Sequence, residues 1–428
     1  MGKILFIAYT FPPIPYGGTY RALRLCRGFA DKGFECHVVT LKEYSDIPND
    51  YELLAKVPES VNIHRVPIID PWRRYQRFKK RYADRSWFRI VNKFVSLLLR
   101  PITFPDHMLF WVPFAAVKAR QVIKQHDIET VLVSSPPDSS QLVGWILKRT
   151  CKVRWVADFR DPIYGNVAQV NMIDPKSILD RFQKKMLYRF DRFVTCNADV
   201  LIANTETHAE WLGVEHGLEN VHTVRNSFDP VDFTNHDNEN RFDEFTIAHV
   251  GSIYGKRNPD LLFAAVKQLA DDYAPEPLNL KLIFLGSGGD SLKGAIEKYG
   301  IGDYVSILDQ VPHEKAIEVM RRSHLLLLIK ATGKWSRGQI PGKFFEYLGT
   351  RNPVLCLGPE NSEVSEIISK NSLGFVVEDS HEDMLRILRE QYRHYCATGT
   401  IARLPEKQVD QFSSSVMVEK LYTALDSE

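Results

Sequence analysis

What most constrains this chain is a repeated alternation. Short apolar or β-branched runs are each followed by an amphipathic stretch, from Lys3 almost to the end. Strands that read as near-continuous apolar runs are buried on both faces, the mark of a parallel sheet with helices on either side. Lys3–Ala8, Cys36–Leu41, Thr130–Ser134 and Val153–Phe159 are such runs in the first half. Phe245–Val250, Lys281–Leu285, Leu325–Ile329 and Pro353–Leu357 are their counterparts in the second. Between the two series, residues 228–244 (FDPVDFTNHDNENRFDE) are poor in apolar side chains and rich in turn formers, and read as a linker. The expected class is α/β with two Rossmann-like domains, 1–227 and 245–405. A last amphipathic helix within 406–428, about Gln408–Leu425, needs a surface to cover, and the first domain is the expected one.

Other classes are excluded by what is missing. The apolar run at Lys3 is stopped by Phe11-Pro12-Pro13 before it reaches the length of a secretory signal, and Phe6 stands where N-myristoylation wants Ser or Thr. No run of about twenty apolar residues is present, so no membrane span is expected. Six scattered cysteines without a Cys-x-x-Cys pair suggest reduced core thiols, neither a disulfide framework nor a metal site. A cytoplasmic protein is the expectation.

The net charge of +2 conceals a concentration. Residues 71–100 hold ten basic side chains against one acid, Asp84. Within an insertion spanning 71–104, Arg73, Arg74, Lys79, Lys80 and Arg81 precede Trp87, Phe88 and a broad apolar stripe, as in a helix lying on an anionic membrane surface. The other reading is a core helix with a solvated basic face. No stacking motif supports nucleic-acid binding.

Three glycine-rich loops join a strand to a helix. Gly17 and Gly18 follow the first strand; Gly251, Ser252, Lys256 and Arg257 follow Phe245–Val250; Gly286 follows Lys281–Leu285. Such turns allow a backbone to approach a phosphate at a helix N-terminus, or they are plain turns. The second lacks the spacing and the Ser or Thr of a P-loop. Downstream, Arg337, Lys343 and Glu346 combine cations for a diphosphate with a carboxylate for ribose hydroxyls, the alternative being a surface ion pair. Asp158, Arg160 and Asp161 end a predicted central strand, where open α/β sheets place ligands and where a catalytic group is expected; the alternative is a locked loop. Asp138 reads as a helix cap.

The stretch KFFEYLGTRNPVL, residues 343–355, resembles the donor-binding motif of the retaining glycosyltransferases of family four. The FPP and Gly-Gly loop, Ala157-Asp158-Phe159-Arg160-Asp161-Pro162, Asn204-Thr205, Arg225-Asn226 and Val250-Gly251-Ser252 are similar in kind and order. The resemblance implies a GT-B fold, with parallel sheets facing across a cleft. It implies Glu346 on the donor ribose, Lys256 or Arg257 with Gly251 and Ser252 near the diphosphate, and Gly17 and Gly18 near the donor phosphate and acceptor. Two departures stand out: Gly338 occupies the place of the family's first Glu, and no His accompanies the strand ending at Asp158.

The expected activity is transfer of a sugar, with retention and without a metal or other cofactor, from a UDP- or GDP-linked donor to a lipid-linked or polysaccharide acceptor. The expected place is the inner face of a bacterial plasma membrane. The alternatives are a nucleotide-sugar epimerase of the same fold and a catalytically silent nucleotide-binding subunit of a polysaccharide-assembly complex.

Overall fold

The computed structural model describes residues 2–42, 49–69, 71, 75, 78, 79, 81, 103–164, 178–234, 240–253, 258–331, 333 and 336–426. The chain forms two compact units, Met1–Arg225 with Met417–Glu428, and Asn226–Val416. The first holds a sheet of β1 (Lys3–Ile7), β2 (Glu35–Leu41), β3 (Val61–Val66), β4 (Thr130–Ser135), β5 (Arg154–Phe159), β6 (Val200–Ala203) and β7 (Val221–Thr223), in the order 3-2-1-4-5-6-7. The second holds β8 (Phe245–Val250), β9 (Leu280–Leu285), β10 (Val305–Leu308), β11 (Leu325–Ile329), β12 (Val354–Leu357) and β13 (Gly374–Val377), in the order 10-9-8-11-12-13. Neighbouring strands pair in parallel throughout both sheets.

The two orders are the same pattern. In each, the chain builds outward from the first strand to one side, then crosses back to lay its fourth strand on the other. The loops leaving β1 and β4, and those leaving β8 and β11, therefore diverge, and the opening at the C-terminal strand ends is where such sheets take ligands. The strands are apolar because helices cover both faces: Ile4, Leu5, Phe6 and Ile7 of β1 and Leu325 to Leu328 of β11 are all almost completely buried.

The terminal segment completes the first unit. In place of one helix from Gln408, the chain makes a helical turn at Glu406–Val409, a 3-10 turn at Asp410–Phe412, an extended Ser413 and then the helix Ser414–Asp426. Met417, Val418, Leu421 and Ala424 join Ile4, Phe6, Leu25 and Phe29 in one core. The approach is close: a Cβ on Gly28 would lie 2.2 Å from Val418 Cγ2. Leu421 is 1% exposed, so Leu421→Ala is expected to cost about 2–5 kcal/mol in urea unfolding through lost burial and the cavity it leaves.

Two further differences from the sequence reading have physical causes. The helix Glu206–His216, capped by Thr205, escapes detection because its apolar residues form no stripe: Leu212 is buried while Val214 is 86% exposed. Part of the stretch read as a linker is folded, since Pro230–Phe233 forms a 3-10 turn and Phe228 bridges to Ser413 within the second unit. No helix among the described residues is long and apolar enough to cross a membrane.

Candidate functional site

In the second unit Lys343 and Gly251, both singled out by sequence, meet at the β8–β11 opening. The helix Gly342–Gly349 packs over it, bolted down by the fully buried Tyr347, whose hydroxyl accepts the Val250 N–H at 2.9 Å and faces the Leu327 carbonyl oxygen at 3.3 Å. One turn earlier, Lys343 donates from Nζ to His249 Nε2 at 2.9 Å. His249 Nδ1 lies 2.9 Å from the Leu327 carbonyl oxygen. A carbonyl can only accept, so Nδ1 carries the proton and Nε2 is the acceptor that fixes the ammonium. The chain of contacts from sheet to imidazole to ammonium holds a cation at the C-terminal end of β8.

Gly251 makes room for that cation. Its φ is +113°, and a Cβ there would lie 3.0 Å from Lys343 Nζ. Its N–H already donates to the Leu285 carbonyl at 2.7 Å, so its contribution is space, not a hydrogen bond to a ligand. Gly286, with φ +132°, lies beneath: a Cβ would meet the Gly251 backbone at 2.8 Å. It supports the loop where a ligand-touching role was expected. Ser252 accepts a 2.7 Å hydrogen bond from Ser287 across the same pair of loops.

Three residues after Lys343, Glu346 accepts from His313 Nε2 at 3.1 Å, and both side chains keep about one-fifth of their surface open (21% and 19%). A carboxylate and an imidazole so placed offer an acceptor and a donor to vicinal hydroxyls. Arg337 turns elsewhere: its Nε donates to the Asn361 carbonyl at 3.1 Å and its Nη2 lies 3.9 Å from Glu366. The loop that carries it is anchored by the buried Lys330, whose ammonium binds the Ser336 and Gln339 carbonyls. Lys256 and Arg257 lie outside the described residues.

The first unit shows a matching edge. The helix Gly17–Asp31 begins without a side-chain cap, with Gly17 exposed and nothing near its missing Cβ. A Cβ on Gly18 would lie 1.9 Å from Arg160 Nη1, so this glycine lets the guanidinium lie against the first helical turn. Arg160 donates to the Ser135 carbonyl at 3.2 Å and to that of Pro136, while Asn204 binds its own carbonyl at 2.8 Å. An uncapped helix N-terminus beside a held guanidinium is a place for an anion. Burial lowers the Arg160 pKa and raises that of Asp161, each partly opposed by the other's charge.

Asp158, two residues before Arg160, is engaged in another way. Its side chain is 1% exposed and is gripped by Arg21, Nη2 to Oδ1 at 2.6 Å and Nε to Oδ2 at 3.0 Å, with Ser134 donating to Oδ2 at 3.0 Å. A carboxylate engaged in this way anchors strand to helix and is not available to take a substrate proton. Asp138, read as a cap, does not cap: the Ser139 N–H and hydroxyl go to Asp106 at 2.8 and 2.7 Å, and burial pushes the Asp138 carboxyl well above the usual range.

A family model described as a glycosyl transferase 4-like domain matches residues 17–227, and one for glycosyl transferases group 1 matches residues 232–392. Between them two glycosyltransferase models span most of the chain, and the protein is a glycosyltransferase. Among solved structures, sucrose-phosphate synthase from Thermosynechococcus elongatus is similar over 100% of both chains at 13% identity, with a TM-score of 0.66. HepE from Anabaena, solved with UDP and glucose, is similar over 100% of both at 14% identity and a TM-score of 0.63. WaaG, a glycosyltransferase involved in lipopolysaccharide biosynthesis, covers 96% of this chain and 99% of its own at 16% identity and a TM-score of 0.53. No curated protein matches by sequence. With their shared parallel sheets, these likenesses make the fold GT-B.

In this glycosyltransferase the sequence reading found Lys343 and Glu346 but missed the residues that hold them. His249 and His313 carry no local signal, because each meets its partner only through the packing of the Gly342–Gly349 helix. Of the basic insertion, Pro71, Tyr75, Phe78, Lys79, Arg81, Thr103 and Phe104 are described, and Phe78, Lys79 and Arg81 are exposed. Arg73, Arg74, Lys80, Trp87 and Phe88 lie outside the described residues.

Proposed function

We propose that this glycosyltransferase binds a UDP- or GDP-linked sugar at the β8–β11 opening and transfers the sugar, with retention, to a lipid-linked or polysaccharide acceptor. The observation that carries the reading is the pair Lys343–His249 and Glu346–His313 on one turn of one helix. Lys343 faces the diphosphate and Glu346 the ribose. HepE, solved with UDP and glucose, has the same fold, which supports a UDP donor.

The bond between the anomeric carbon and the diphosphate oxygen breaks as the acceptor oxygen bonds to that carbon from the same face. The acceptor proton passes to the departing phosphate oxygen, so no enzyme base is needed. Charge on the diphosphate falls to Lys343, with Lys256 and Arg257 as further cations and helix N-termini in support. This set replaces a divalent ion in the reaction. In the first unit Arg160 and Asp161 remain the candidate catalytic groups of their strand end, while the Asp158 carboxylate is held by Arg21. The basic insertion holds the enzyme at an anionic membrane surface on the cytoplasmic side, where a lipid-linked acceptor is presented.

Incubation of UDP- and GDP-sugars with the protein and a bacterial lipid extract tests this by proton NMR of the products. The expected result is release of one nucleoside diphosphate and a new glycoside with the donor's anomeric configuration, at a rate that added Mg2+ or Mn2+ does not change. An epimerised nucleotide sugar formed without acceptor would replace this reading with the epimerase, and binding without turnover would replace it with the silent subunit.

A further inference from the structure

At the opposite end of the first unit's strands, away from the edge just described, four polar side chains from separate parts of the chain close on one another. Glu35 and His37 stand two apart at the start of β2, and so share a face of the strand. His126 ends the helix Val112–His126. Glu35 Oε1 is 2.9 Å from His37 Nε2 and 2.9 Å from His126 Nδ1. Glu35, His37 and His126 each offer a ligand atom, all lying within 4.8 Å of one another. His37 is completely buried, while Glu35 and His126 keep 33% and 27% of their side chains open. Behind them His64 Nε2 lies 3.1 Å from the other nitrogen of His37, with the two rings stacked.

We propose that Glu35, His37 and His126 form a binding site for a zinc-class divalent cation that staples β2 to the end of the Val112–His126 helix. Two imidazoles and a carboxylate are a zinc donor set, and a tetrahedral ion about 2.0–2.1 Å from each ligand needs them about 3.3–3.4 Å apart. The two 2.9 Å separations need to open by about half an ångström, and the third, which lies within 4.8 Å, is adjusted by the two side chains that are partly open. The fourth position belongs to a water molecule.

The surroundings suit the task. His37 is fully buried with a polar partner at each ring nitrogen, Glu35 on one side and His64 on the other. Because Glu35 is ionised, the imidazoles now donate to it. Metal binding moves the His37 proton from Nε2 to Nδ1 and the His64 proton from Nε2 to Nδ1, so that His37 Nδ1 then donates to His64 Nε2, the outer partner that a ligating imidazole ordinarily has. No net proton needs to leave His37. Lys3 opposes the site: its charge acts on Glu35 and His37, although its ammonium is anchored on the His126 carbonyl at 2.6 Å. Its removal is therefore expected to tighten binding.

The test uses full-length, tag-free protein stripped with chelator, titrated with Zn2+ by calorimetry and with Co2+ by visible absorption. One equivalent should bind, with a tetrahedral Co2+ spectrum and a raised melting temperature. His126→Ala and Glu35→Gln should abolish saturable binding, His64→Ala should weaken it roughly 10- to 100-fold, and Lys3→Met should strengthen it, all with unchanged circular dichroism. No saturable binding by the wild type, or equal affinity in His126→Ala and Glu35→Gln, would overturn the site. The Lys3→Met result stands apart from folding, since that variant leaves every ligand in place.

Discussion

Asp158→Ala is expected to lower the stability of the first unit by about 3–5 kcal/mol, because it strands a buried charge. The Arg21 and Asp158 side chains are 2% and 1% exposed, and their two-pronged contact joins the helix Gly17–Asp31 to β5. Without the carboxylate, the Arg21 guanidinium has no water to replace it, and Ser134 loses its acceptor as well. Urea unfolding followed by tryptophan fluorescence is the suitable readout, since Trp111 and Trp155 are both fully buried in this unit. A paired replacement, Arg21→Met with Asp158→Leu, removes both charges and should recover most of the loss. A cost below about 1 kcal/mol for Asp158→Ala, the value of an exposed pair, would contradict the anchor and return Asp158 to the candidates for chemistry.

Lys343→Ala is expected to reduce sugar transfer about 100- to 1,000-fold, the scale observed when one preorganised donor to a developing negative charge is removed. Folding should be preserved, because Lys343 is only half-buried and its ammonium lies at the loop edge against His249 Nε2 and Gly251. Lys343→Arg should rescue poorly: a planar guanidinium does not reproduce a point donor aimed at one ring nitrogen. The readouts are kcat and KM for the donor, with circular dichroism as a control for folding. Unchanged kinetics in Lys343→Ala would remove the diphosphate from this end of β8.

How much of this was legible in the sequence follows from the range of the forces involved. The inner strands could be read because burial on both faces demands unbroken apolar runs, and the loops at Gly251 and Gly286 because positive φ is written as glycine; β13 could not, since only Val377 of its four residues is buried. Lys343 and Glu346 could be read because helical spacing puts them on one side. The Glu206–His216 helix could not, since its two buried side chains, His208 and Leu212, set no stripe. Nor could Asp106 as the partner of Ser139, 33 residues away. The Arg21–Asp158 pair and the meeting of Glu35 and His37 with His126 were equally hidden: each joins residues about a hundred positions apart, brought together by strand order alone. Asp158 reads as a catalytic candidate or as part of a locked loop for the same reason: its place at a strand end is a local fact and its partner Arg21 is not.

Hydrogen–deuterium exchange with and without UDP, and with and without GDP, tests the donor site most directly. The account predicts that one of the two nucleotides slows exchange in 249–253 and 342–347, and that Glu346→Ala removes this protection. Protection confined to the first unit, or none with either nucleotide, would contradict it.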